Sequence, residues 1–248
     1  MSTVKSSAIV LKSIDWRDSS KIVTLFTRDE GKLSVIAKGA RQNKSKYQGI
    51  LESINLLEVI VYISAHRKLQ ILGEISLEDS FPKIRVDYEK TSYAFALLEL
   101  TDIFFKEGSV DTVFFDFLSA LLSEIENTID SRIVFWYFLL KLSSYLGFKP
   151  EFNLCCGCNK SLATEIVVFS IRDGAVICKN CGFSDGQGWK LSIQARRSLS
   201  DLQNLHHKRL STAKINVDDR FALTDFLLAY LRYHSDEKLN LSSLKILK

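Results

Sequence analysis

The 248 residues are 46% hydrophobic and 25% charged, the balance of an ordinary globular chain, with length for one large domain or two to three small ones. The net charge is +4, and only two prolines occur, Pro82 and Pro150, so long proline-rich linkers are excluded. The most apolar run, residues 133–140 (IVFWYFLL), falls far short of the ~20 residues a membrane helix needs. Residues 1–10 lack the basic head and long apolar core of a signal peptide, so a cytoplasmic protein with reduced thiols is expected.

Residues 1–80 read as strands. "SSAIVLKSID" and "SKIVTLFTRDEGKLSVIAKGA" hold short β-branched runs, with Asp29-Glu30-Gly31 supplying a hairpin turn. "INLLEVIVYIS" and "KLQILGEISLED" add two more strands joined at Ala65-His66-Arg67. Five strands without an intervening helical pattern predict a small barrel or sandwich, with Gly49 and Gly73 at bends or bulges. After Phe81-Pro82 the period turns helical. One helix carries Ala94, Leu97, Leu98 and Phe104 on a stripe and ends at Gly108. A second carries Phe114, Phe117, Leu118, Leu121 and Ile125. A third runs from a Ser131 cap to Gly147 and is apolar nearly all round, which marks the centre of a helical domain. Two further helices are predicted over about 192–207 and 217–234. Residues 1–80 hold four aromatics, Trp16, Phe26, Tyr47 and Tyr62, against fifteen in residues 81–148, so the large core belongs to the helical part.

All five cysteines lie between residues 153 and 182. Cys155-x-x-Cys158 and Cys178-x-x-Cys181 are separated by nineteen residues, the spacing of a four-thiolate zinc site. Each pair forms a turn that aims two sulfurs at one point, and zinc takes four donors in a tetrahedron. "EIVVFSIRDGAVIC" between them reads as a hairpin around Asp173-Gly174, the body of a zinc ribbon. A cytosolic disulfide is disfavoured, and a redox pair would be a single Cys-x-x-Cys beside a βαβ pattern. Four thiolates leave no open position, so one structural Zn2+ is expected, with Cys156 an unliganded neighbour.

Charge is unevenly spread. Residues 1–80 carry 12 basic and 9 acidic side chains, residues 81–150 carry 7 and 10, and residues 182–248 carry 11 and 7. Basic ends around an acidic middle suit a polyanionic partner at the ends. "GKLSVIAKGARQNKSKYQGIL" contains Lys32, Lys38, Arg41, Lys44 and Lys46 and no acid. On a small barrel this is either a single-strand binding surface, with Tyr47 for stacking, or a solvated lysine-rich loop. A second basic stretch, residues 190–214, holds Lys190, Arg196, Arg197, Lys208, Arg209 and Lys214 against Asp201 alone, and is either a solvated helix or a site for an acidic partner. No nucleotide-binding, zinc-protease or nucleophile-elbow motif occurs, and His66, His206, His207 and His234 have no ligand or triad spacing. Asp218-Asp219 stand at an expected helix start, where acids complement the dipole. No catalytic residue is assigned.

In order and spacing, "AIVLKSIDWRDSSKIVTLFTRDEGKLSVIAKGARQNKS", "AHRKLQILGEISLEDSF", "LGFKPEFNLCCGC" and "LRYHSDEKLNLSSLKIL" resemble the bacterial RecO family of recombination mediators. The likeness is sharpest at Lys38-Gly39-Ala40-Arg41 followed by Lys44-Ser45. It implies an α+β chain: an OB-fold over residues 1–80, then a helical domain over residues 81–248 with a zinc ribbon inserted at about 151–185. It further implies binding of single- and double-stranded DNA and annealing of complementary strands. The implied partners are RecR and the acidic C-terminal tail of the single-stranded-DNA-binding protein, in support of RecA loading. By position it assigns DNA contact to Lys38, Arg41 and Lys44, and zinc to Cys155, Cys158, Cys178 and Cys181. The chain departs from the family at "LESINLL", where a proline is expected near Ser53. Two rivals stand beside this reading: a zinc-ribbon adaptor that binds proteins only, and a nucleic-acid enzyme with an unrecognised site.

Overall fold

The computed structural model describes residues 2–162, 167–182, 188–213, 215 and 220–247. They fall into two compact units, residues 1–127 with 241–248, and residues 128–240.

In the first unit, β1 (Ser2–Trp16), β2 (Ser20–Thr27), β3 (Gly31–Ala37), β4 (Leu56–Ile63) and β5 (Gln70–Asp79) close into a barrel in the order β1-β2-β3-β5-β4. Closure comes from the β1–β4 pair, Ser2 opposite Ile63 through Ile9 opposite Leu56. Alternate residues point inward, as the period of two requires: Val10, Val23, Leu25, Val35, Ala37, Val59, Val61 and Leu72 form the barrel core. β1 starts earlier than the sequence suggests and shifts register between Val10 and Lys12, a bulge that lets a 15-residue strand pair on both sides. Gly73 lies at the second irregularity, between Val59 and Val61 on the partner strand, whereas Gly49 sits in a turn at φ 72°. At the unusual "LESINLL" segment the chain turns through Ile54 at φ 82°, tied to Val10 by paired backbone hydrogen bonds.

Helices α1 (Pro82–Val86), α2 (Tyr88–Phe104) and α3 (Thr112–Asn127) complete this unit, with a 3-10 turn at Ser243–Leu247 packed on α2. α2 stops at Phe104 rather than Gly108, because Phe105 leaves the helix in an extended conformation. There it joins Phe26 and Phe114, with ring centroids 5.1 and 4.2 Å away. Gly31, at φ 68°, abuts the Ser109 carbonyl so closely that no side chain fits. Arg28 donates two hydrogen bonds to the Asp116 carboxylate, at 2.8 and 3.0 Å.

In the second unit, α4 (Ser131–Tyr145) is the buried helix expected from its composition, and residues 133–140 are all buried. Its cap is Asp130, one residue before the predicted Ser131: the Asp130 carboxylate accepts from the Arg132 backbone N–H. Strands β6 (Glu151–Cys155), β7 (Val167–Ser170), β8 (Ala175–Ile177) and β9 (Gly188–Leu191) form a sheet in the order β6-β8-β7-β9. α5 (Ile193–Asn204), a 3-10 turn at His207–Thr212 and α6 (Arg220–Ser235) follow. The chain is thus α+β, a strand-rich N-terminal part followed by a largely helical one. Among the described residues, no helix is long and apolar enough to cross a membrane.

Candidate nucleic-acid interface and metal centre

The cysteine knuckles are built by backbone turns. After β6 the chain folds back on itself: Asn159 N–H donates to the Cys155 carbonyl at 2.8 Å, and Cys155 N–H to the Lys160 carbonyl at 3.0 Å. The β7–β8 hairpin, turning at Gly174 (φ 66°), returns the chain to Cys178 with Phe169 opposite Val176. The Cys178 N–H then donates to the Cys155 sulfur at 3.3 Å, and Gly157 lies flat against Cys181 where a Cβ would come within 2.9 Å of its sulfur. The four sulfurs of Cys155, Cys158, Cys178 and Cys181 lie within 4.8 Å of one another, with Cys158 and Cys178 at 3.8 Å. A tetrahedron with metal–sulfur bonds of ~2.3 Å has edges of about 3.8 Å, so the donor set fits one ion. Burial would push the Cys155 thiol up, but N–H donors from Cys178, Gly157 and Cys158 outweigh it and bring it down to about 6. Hydrogen bonding to Cys178, Cys158 and Cys155 pushes the Cys181 thiol up to about 12. Cys156 stands outside the cluster, exposed, its own thiol raised by desolvation and by the Asp173 carboxylate. These four cysteines are therefore positioned to bind a metal.

The basic stretch of the barrel is less uniform than its composition. Lys38 leaves the end of β3 exposed, and Lys44 is exposed in a left-handed turn at φ 69°. Among the described residues, no ion pair engages either ammonium. Arg41 is anchored at the β1–β2 turn: Nε pairs with Asp15 at 3.1 Å and Nη1 donates to the Arg17 carbonyl at 2.7 Å. Ala40, Arg41, Gln42, Asn43, Lys44 and Gln48 line a shallow cavity of about 270 Å³. Lys46 donates to the Gly73 carbonyl at 2.9 Å and lies 5.1 Å from the centre of the Tyr47 ring. Tyr47 itself is buried, its hydroxyl donating to the Gly73 carbonyl at 3.0 Å, so it plugs the barrel and cannot stack on a base. Lys32 points away from this loop. Its side chain is 13% exposed, and the ammonium donates to the Asp102 carbonyl at 2.6 Å and pairs with the Asp102 carboxylate at 3.2 Å. Composition does not show Asp15, Arg17, Gly73 or Asp102 as partners, because each lies tens of residues away in sequence.

In the second basic stretch, Lys190, Arg197, Lys208 and Arg209 are exposed, but Arg196 is fully buried and donates to the Phe152 carbonyl at 2.7 Å under β6. It is a core residue of the second unit, not a surface cation. Lys214, Asp218-Asp219 and the predicted helix start at 217 lie outside the described residues. Arg17, beside the exposed Trp16, escapes a reading of the sequence because a lone arginine in a turn carries no signal.

Comparison with known proteins agrees across the chain. Residues 1–81 match the family described as "Recombination protein O N terminal", and residues 85–243 match "Recombination protein O C terminal". The chain is 29% identical over 226 residues to "DNA repair protein RecO" of Shouchella clausii, covering 91% of this chain and 87% of the relative. To the protein of that name from Bacillus pumilus it is 30% identical over 232 residues, covering 94% and 89%. To that of Desulfatibacillum aliphaticivorans it is 30% identical over 240 residues, covering 94% and 93%. Family matches to both halves, over a strand-rich N-terminal part and a helical part with a four-cysteine cluster, show that the chain belongs to the RecO family of DNA repair proteins.

Proposed function

We propose that this protein is a non-enzymatic, DNA-binding recombination mediator. It binds single- and double-stranded DNA, anneals complementary strands and, with RecR, assists RecA loading on strands coated by the single-stranded-DNA-binding protein, whose acidic tail is a partner. Its place is the cytoplasm, at the nucleoid. The observation that carries this reading is the loop after β3, where Lys38 and Lys44 stand exposed beside the anchored Arg41 and a shallow polar cavity. Cations held open in this way suit phosphates, which need charge at intervals along a backbone and no enclosed pocket. Lys38, Arg41 and Lys44 make the principal contacts. Lys46 lends a lesser one from the rim, and Lys32 is left out because Asp102 already holds it.

The mechanism needs no bond chemistry. Cations bound to two strands offset their mutual repulsion and hold them close enough to pair, so the activity weakens as salt rises. The metal at Cys155, Cys158, Cys178 and Cys181 is one Zn2+: two Cys-x-x-Cys pairs flanking a hairpin are the usual four-thiolate zinc arrangement, and a closed site serves folding. The test is annealing of complementary oligonucleotides by the full chain across a salt series, with products run on a denaturing gel. Faster pairing at low salt with intact strands supports a mediator. Cleaved strands point to a nuclease, and an absence of DNA binding to an adaptor for proteins alone.

A further inference from the structure

We infer that Trp16 is a base-stacking residue, so that the outer face of β1–β2–β3 engages unpaired bases while the neighbouring cations hold the phosphates. The inference rests on the DNA-binding reading above and adds to it the chemical feature that separates a single strand from a duplex.

Register fixes where the ring points. Ser13 pairs with the inward Val23, so Ile14 opposite Ile22 and Trp16 opposite Ser20 face out of the barrel. Ile36 pairs with Ile22 on the same outer face. Lys21 pairs with the inward Ala37, so Lys38, one residue beyond, emerges on Trp16's face. Two strand spacings separate them, roughly 10 Å. Lys12, opposite the outward Thr24, lies on that face as well.

Trp16 is 41% exposed and Ile14 44%, so the face is an uncovered apolar surface with an indole at its rim. A scattered exposed side chain would need no explanation. Here, however, the strand end is braced: Arg41 bonds both Asp15 and the Arg17 carbonyl, on either side of Trp16. The Arg17 guanidinium lies 6.0 Å from the ring centre, and no ion pair holds Arg17, Lys12 or Lys38 among the described residues. An exposed indole on a braced strand end, with a guanidinium beside it and ammonium groups on the same face, matches the chemistry of a nucleotide: a flat ring for the base and positive charge for the phosphate. The other barrel aromatics do not offer this. Phe26 and Tyr47 are buried, and Tyr62, 36% exposed, lies against Gly73, where a Cβ would come within 2.8 Å of its ring. A duplex keeps its bases stacked inside, so Trp16 contributes to single-strand binding alone.

The test uses tryptophan emission of the full chain, titrated with a short oligothymidylate and with a hairpin duplex. Trp136 is buried and Trp189 packs on Phe226 in the other unit, so Trp16 is the reporter. Oligothymidylate should quench the emission along the same curve as a labelled-strand binding assay, and the hairpin should not. Trp16→Phe should abolish the quench with little loss of affinity. Trp16→Leu, which keeps the apolar bulk, should weaken single-strand binding about tenfold or more while duplex affinity and the salt slope stay unchanged. Binding without quenching, together with a Trp16→Leu variant as tight as wild type, overturns the inference and leaves the DNA-binding reading standing. A wild type that binds no DNA at low salt overturns both. Should Trp16→Leu fail to fold, the wild-type and Trp16→Phe titrations still decide.

Discussion

The cysteine ribbon and the basic loop of the barrel answer opposite demands. In the ribbon, two pairs separated by nineteen residues converge until four sulfurs lie within 4.8 Å of one another. In the loop, neighbouring cations diverge: Arg41 turns to Asp15, Lys46 to Gly73, and Lys38 and Lys44 to solvent. A metal needs every donor at one point, so spacing alone betrays it. A polyanion needs charge distributed along a surface, and distribution depends on which acids the fold leaves nearby. The ribbon therefore explains how part of the second unit is held together, while the loop carries the proposed activity.

The largest expected effect breaks the ribbon. Cys178→Ser removes a buried thiol of the four-cysteine cluster, and the apparent free energy tied to a structural zinc site in small zinc domains is about 10–16 kcal/mol. Metal analysis should fall from one zinc per chain to none, and amide exchange should accelerate across residues 151–162 and 167–182. Cys156→Ser should retain the full equivalent, since Cys156 lies outside the cluster. Retention of zinc by Cys178→Ser would break the four-thiolate assignment. Because ligands must be deprotonated, chelators should strip the metal more readily as pH falls.

On the barrel side the described residues hold no cluster of metal-ligating side chains, and close packing supports the turn after β2. Gly31→Ala places a side chain against the Ser109 carbonyl at a positive φ, and should lower stability in urea by about 1–3 kcal/mol or more. Wild-type stability would mean that the β2–β3 turn yields more easily than its packing suggests.

A smaller and sharper contrast separates two lysines at opposite ends of β3. Lys32→Met should destabilise by about 1 kcal/mol, through loss of the hydrogen bond to the Asp102 carbonyl and of a partly exposed ion pair, and should leave DNA affinity untouched. Lys38→Met should leave stability alone and reduce the salt slope by about 0.7 log unit, the share of a single neutralised phosphate. The smallest measurable loss of stability is expected at Lys46→Ala, about 0.5–1 kcal/mol from its packing on the Tyr47 ring. A Lys32 variant with weakened DNA binding but unchanged stability would put that lysine back on the interface.

What could be read from the sequence follows the same division. Strand alternation and the apolar run of α4 identify the five strands and the buried helix, because both are local patterns, whereas closure into a barrel rests on the distant β1–β4 pairing. Cysteine spacing identifies the four-sulfur cluster for the same reason. Periodicity misplaces the end of α2 because Phe105 is drawn out of the helix by Phe26, nearly eighty residues earlier. Lys32, Tyr47 and Arg196 look like surface groups in sequence and are held by Asp102, Gly73 and Phe152 in the fold. Each is a tertiary partnership that no window of neighbouring residues contains.

The most direct test of the account is the salt dependence of binding to a labelled single strand, comparing wild type with a Lys38→Glu/Arg41→Glu/Lys44→Glu variant whose folding is checked by circular dichroism. The account predicts that the folded variant binds far more weakly, with a slope shallower by about 0.7 log unit for each phosphate it no longer neutralises. Equal affinity and equal slope in the two proteins would contradict it, and would move the interface away from this loop.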